Sequence, residues 1–200
     1  MNLNPSAPRK HLHTRTIEFN GYLRDDGLWD IEAAMRDVRA YAYQSRERGA
    51  EPPPSTVHHM LLRVTLDDQL TIQAVETGLP TVPFPECSKT ADPVQGLVGK
   101  RIGAGWRATI DEVMGGIAGC THLRELLFNV ATAAFQTIPV YRQQRARAQG
   151  VAMVRSDKPR RPPPHFGKCM SWDFNGPVMQ RLAPEFFGWT PPEPGADTSS

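Results

Sequence analysis

The stretch Gly115-Gly-Ile-Ala-Gly-Cys120-Thr-His-Leu-Arg-Glu-Leu-Leu-Phe-Asn-Val130-Ala-Thr-Ala-Ala-Phe-Gln-Thr-Ile-Pro139 decides how the rest of the chain must be arranged. Its second half is an amphipathic helix over 121–138. Leu123, Leu127, Val130, Ala134 and Ile138 recur at three- and four-residue steps, and Leu126 widens the stripe. The glycines ahead of it deliver Cys120, Thr121 and His122 to the helix start. Thr121 is the expected N-cap, because its hydroxyl can accept from the free N–H groups of the first turn. A thiol at that end feels the positive pole of the helix and shifts toward thiolate.

Working outward toward the N-terminus, the pattern changes to a period of two. A β-rich run between His11 and Leu23 is followed by the turn signal Asp25-Asp26-Gly27. Trp29, Ile31, Ala33 and Met35 then alternate with Asp30, Glu32, Ala34 and Arg36. The alternation favours a strand over the helix that Glu, Ala and Met would also suit. These two runs form a hairpin. After the loop at Pro52-Pro53-Pro54, Met60, Leu62, Val64 and Leu66 take one face and His59, Leu61, Arg63 and Thr65 the other. Asp67-Asp68 turns the chain, and Leu70, Ile72 and Ala74 return it as a second hairpin. Parity puts His58 with Met60, and His59 with Arg63. Short helices are expected near 91–98 and 106–114. The fold class is therefore α+β: an antiparallel sheet of two N-terminal hairpins packed against the long helix and shorter ones.

The chain has 200 residues, a net charge of +2 and 19 prolines, which cluster at segment edges. We expect a flexible arm over 1–10, a core domain over 11–140 and a basic, proline-rich linker over 141–165. A segment over 166–189 should pack back on the core, ahead of a disordered tail over 190–200. From Arg142 to Arg161 there are seven Arg and Lys against one Asp, with no aromatic residues interleaved for base stacking. That pattern and the near-neutral charge argue against a dedicated nucleic-acid binder. No apolar run is long enough for a bilayer, and the polar start is no signal peptide. Three widely spaced cysteines without an export signal point to reduced thiols and a cytoplasmic location. A homo-oligomer is left open.

Several blocks carry a family resemblance. They are Leu12-His13-Thr14-Arg15, Arg24-Asp25-Asp26-Gly27-Leu28-Trp29-Asp30-Ile31-Glu32, His58-His59-Met60-Leu61-Leu62-Arg63 and Gly119-Cys120-Thr121-His122-Leu123-Arg124-Glu125. Together with Leu97-Val98-Gly99-Lys100-Arg101-Ile102-Gly103, they resemble a bacterial family known as domain of unknown function 2889, over about residues 10–187. The strand block of that family reads His-Asp-Met, so His59 stands where an Asp is commoner. The resemblance also implies family cysteines at Cys87 and Cys169. It supplies no mechanism, but implies kinship with proteins of bacteria that degrade aromatic and other hydrophobic carbon sources.

Two sites follow from residue types. His13, Arg15, Arg24, Asp25, Asp30, His58, Arg63, Cys120 and His122 are polar residues at expected strand positions or at the helix start. Among them, His58 is the expected general base, Asp30 its orienting carboxylate, and Arg24 or Arg63 the clamp for an anionic group; His122 is a further catalytic candidate, as in a Cys120–His nucleophile and base pair. The expected activity is lyase, isomerase or hydrolase chemistry on a hydrophobic or aromatic small molecule, without an organic cofactor. Gly99, Gly103 and Gly105 lack the spacing and context of a dinucleotide loop. The alternative is a zinc or iron–sulfur type metal-binding or interaction module, ligated by Cys87, Cys120, His122 and Cys169.

Overall fold

The computed structural model describes residue 4 and residues 6–150, 162–163 and 165–190. It divides into two units, Met1–Val151 and Ala152–Ser200. In the first unit, strands β1 (His13–Leu23), β2 (Trp29–Arg39), β5 (Ser55–Leu66) and β6 (Ile72–Thr81) form one antiparallel sheet in the order β1-β2-β5-β6. A small hairpin, β3 (Tyr43–Ser45) with β4 (Gly49–Glu51), sits between β2 and β5. Tight turns at Pro85–Ala91 and Pro93–Leu97 lead to α1 (Trp106–Met114), and the long helix α2 (Thr121–Ala148) completes the unit. The α+β architecture read from the sequence is the one observed.

The two periods meet in one core. On β2 the residues Trp29, Ile31, Ala33 and Met35 are buried, and on β5 so are Met60, Leu62, Val64 and Leu66. Ile17 and Phe19 of β1 pack on the same cluster. Against this face lie Leu123, Leu126, Leu127, Val130, Ala134 and Ile138 of α2, all buried. Ile110 and Met114 of α1 join them, and the Trp106 indole donates to the Leu127 carbonyl at 2.9 Å. Removing this apolar surface from water is the main force holding helix to sheet.

Four expectations need correction or a boundary. On β6 the core position after Ile72 is Val75 rather than Ala74. Leu66 pairs with Ile72 and Thr65 with Ala74, so Gln73 is an extra residue that flips the face. The helix does not stop at Ile138 but runs to Ala148 through Pro139. Pro139 is on the exposed side of the helix, so the ring, which removes one backbone hydrogen bond, does not disturb the core face. Beyond it Arg142 bonds the Asp68 carbonyl at 2.9 Å, so the start of the expected linker is helix anchored on the second hairpin's turn. Residues 151–161 of that linker, part of the expected arm and the tail from Pro191 lie outside the described residues. The second unit has its own apolar cluster of Met179, Ala183 and Phe186, with Phe166 stacked on Trp172 at 4.6 Å.

No helix among the described residues is long and apolar enough to cross a membrane. Sheet and helix approach closely at Gly21, where an added Cβ would run into the Thr137 side chain. Gly21→Val is therefore expected to destabilise the fold by about 1–3 kcal/mol, because sheet and helix must move apart. Urea unfolding of the variant checks this.

Candidate functional site

The buried stripe of β2 does not end at Met35. Two residues on, Asp37 occupies the same face and is 3% exposed. A lone carboxylate there would cost several kcal/mol, roughly the effective penalty for an unpaired buried ion, so it must be paired. The sheet register supplies the partners, since Arg15 of β1 and His58 of β5 stand directly opposite Asp37 on either side. Arg15 donates from Nε to Oδ1 at 2.8 Å and from Nη2 to Oδ2 at 2.9 Å. His13 Nε2 lies 3.0 Å from Oδ1, and His58 Nδ1 lies 3.0 Å from Oδ2. Both carboxylate oxygens are thereby saturated. Burial pushes the Asp37 carboxyl up, but the Arg15 bonds and charge, with His58 and His13, outweigh it and hold it at about 2. Arg15 reaches across to the helix as well, donating from Nη1 to Glu125 at 2.8 Å.

His58 connects this row to the start of α2. Its ring lies 4.1 Å from that of His122, tilted by 44°. Burial first, and then the neighbouring His122, lower the His58 pKa against the opposing pull of Asp37. His58 is thus mainly neutral near pH 7. With Nδ1–H given to Asp37, Nε2 carries the free lone pair. The helix N-cap is Cys120 rather than Thr121, with no side-chain capping bond. The Cys120 Sγ lies 3.8 Å from His122 Nδ1. Burial raises the thiol pKa, but the His122 contact and the backbone N–H groups of Leu123 and His122 bring it below the usual value.

The structure brings together only some of the expected residues. His58 and His122 meet; Asp30, Arg24 and Arg63 do not join them. Asp30 is seven residues from Asp37 along β2, about 23 Å away at the rise of a strand, and the odd step puts it on the opposite face. There it accepts from the Thr65 hydroxyl at 2.7 Å and is 3.5 Å from Arg24. Arg24 holds Asp26 at 2.6 Å, and Arg63 bonds Glu32 at 2.9 Å and Glu76 at 3.2 Å. Neither guanidinium is a clamp for His58. Asp37 is the orienting carboxylate and Arg15 its guanidinium. His59 stands opposite Arg36, on the other face from this row.

Of the expected cysteine set, Cys120 and His122 are neighbours at the start of α2. Cys87 sits in the turn at Pro85–Ala91, and Cys169 is exposed in the second unit. Among the described residues, the group whose ligand atoms lie within 4.8 Å of one another is Asp37, His58 and His122, which holds no cysteine. Of the expected metal ligands, only His122 belongs to it.

The model of a protein family of unknown function, DUF2889, matches residues 13–136. No curated protein and no solved structure matches the chain.

The two pKa shifts set a pH dependence of stability. Asp37 is held at about 2 against an ordinary 3.8. Its contribution of about 2 kcal/mol is full above the ordinary value and lost as pH falls through the lower one. His58 acts in the same sense, because below its ordinary 6.5 the unfolded chain takes up a proton that the folded one resists. Thermal melts should therefore fall as pH drops below 6.5 and again below 3.8, and Asp37→Asn should flatten the second fall.

Proposed function

The chain belongs to the family of unknown function DUF2889, whose matched span contains every residue of the row around Asp37, and we propose that it is a small enzyme moving protons at that row. The observation that carries this reading is the hydrogen bond from the half-buried His58 Nδ1 to the buried Asp37, whose carboxyl is held well below the ordinary range. A carboxylate at one imidazole nitrogen fixes the tautomer, leaves the other nitrogen as base and stabilises the imidazolium that forms. Arg15 keeps Asp37 ionised and in place, so the carboxylate orients His58 instead of taking the proton. His122, ring against ring with His58, stands where it can serve a second atom of the same substrate. Lyase, isomerase or hydrolase chemistry on a hydrophobic or aromatic small molecule needs no more than this pair and a bound substrate.

A second reading rests on the same residues. Two imidazoles and a carboxylate form a recognised donor set for a single transition-metal ion, and the three ligand atoms are within 4.8 Å. A metal here would replace the proton between His58 and Asp37, and a bound water would become the base. Elemental analysis separates the two. One ion per chain, lost in His122→Ala, favours the metal, whereas a metal-free active protein favours the dyad.

The test of the proton-transfer reading is a screen for turnover with His58→Ala and Asp37→Asn as controls. His58→Ala should lower kcat by about 100-fold or more, the range for loss of a general base, with an unchanged far-ultraviolet spectrum. Wild-type turnover in that variant would remove the proposal.

A further inference from the structure

The Asp37 row has a second imidazole, and it leads to a cavity. His13 is bound to the other oxygen of the same carboxylate and also lines a cavity of about 480 Å³ with Lys10, Leu12, Arg39 and Tyr41. We infer that this cavity binds a small organic anion, a carboxylate on an apolar body, beside the Asp37 row. The identity of the occupant as substrate rests on the function proposed above.

Three observations carry the charge of the ligand. The lining holds Lys10, Arg39 and His13 and no acidic residue. The Arg39 guanidinium lies 4.0 Å over the Tyr43 ring, and among the described residues neither it nor Lys10 has an ion-pair partner. Asp37 cannot neutralise Arg39, because its oxygens are occupied by Arg15 and the two histidines. Two cations left without a carboxylate beside a concave surface set the sign of the ligand.

The walls give the rest. Leu12 and Tyr41 are large apolar side chains left 52% and 38% exposed at this spot, and the Ala40 N–H bonds the Leu12 carbonyl at 3.0 Å, so the two walls are tied together. The volume is within the range of about 300–1,000 Å³ typical of small-molecule sites. With His13 Nε2 on Asp37, Nδ1 is the ring nitrogen left to meet an occupant. His13 thus stands between the pocket and Asp37, whose other oxygen holds His58.

The test uses the whole protein and four probes: hexanoate, hexanamide, acetate and inorganic phosphate. Binding is followed by the nuclear magnetic resonance signals of the His13 and Tyr41 rings. Hexanoate should shift both, with hexanamide, acetate and phosphate each weaker by about tenfold or more, the scale of one charged hydrogen bond or a few buried methylenes. Arg39→Gln should weaken hexanoate by about tenfold on the same scale. Absence of shifts at His13 and Tyr41, equal binding of hexanamide, tighter binding of phosphate, or wild-type affinity in Arg39→Gln would each overturn the proposal. His58→Ala distinguishes it from the functional reading. Hexanoate binding should persist there, so unchanged turnover in that variant would sink the proton-transfer reading while leaving the pocket standing.

Discussion

Everything in the first unit depends on keeping one negative charge inside an apolar face. Asp37 continues the line of Trp29, Ile31, Ala33 and Met35 with no change of phase, so the sheet that buries those side chains buries the carboxylate too. The compensation is spread over three elements. Arg15 comes from β1, His58 from β5, and Glu125 of α2 takes the other arm of the same guanidinium. Removing one partner from such a group leaves an uncompensated ion, at a cost of about 3–5 kcal/mol. Strand order, helix placement and site chemistry are therefore one constraint seen from three sides.

The fold was legible because only one face of the sheet is covered by the core elements. Covering one face makes a strand alternate, and that alternation was plain in Trp29 to Met35 and Met60 to Leu66. The three-four stripe of α2 was equally plain. Readings failed where one residue interrupts a period. Gln73 adds a residue to β6 and hands the core position from Ala74 to Val75. Pro139 suggested a helix end, but its position on the solvent side lets the helix continue.

The site was legible by half. His58 and His122 were singled out by residue type and position, whereas the carboxylate between the elements was misassigned to Asp30. The signal for Asp37 was present: its parity matches Met35, and that of Asp30 does not. A polar residue that keeps an apolar parity is the informative kind, because burial demands partners that exposure does not. His13 and Arg15 were visible as polar strand residues, but only the pairing of β1 with β2 shows that both reach one carboxylate. The cysteines were grouped by their chemistry alone, and separation along the chain carries no information about whether thiols meet.

The ladder between β2 and β5 runs without a break from Trp29–Leu66 to Asp37–His58 and slips at the next pair, where Val38 faces Thr56 and Val57 is left over. That slip divides the sheet into a part that must keep its count and a part that need not. Residues gained or lost in the β3–β4 hairpin are taken up beyond the bulge, and the histidine keeps its place opposite the carboxylate. On the other side of the bulge a single inserted residue would carry Asp37, if in β2, or His58, if in β5, to the wrong face. Length variation among descendants of this chain should thus collect between Ala40 and Ser55, with the count from Trp29 to Asp37 and from His58 to Leu66 inherited unchanged.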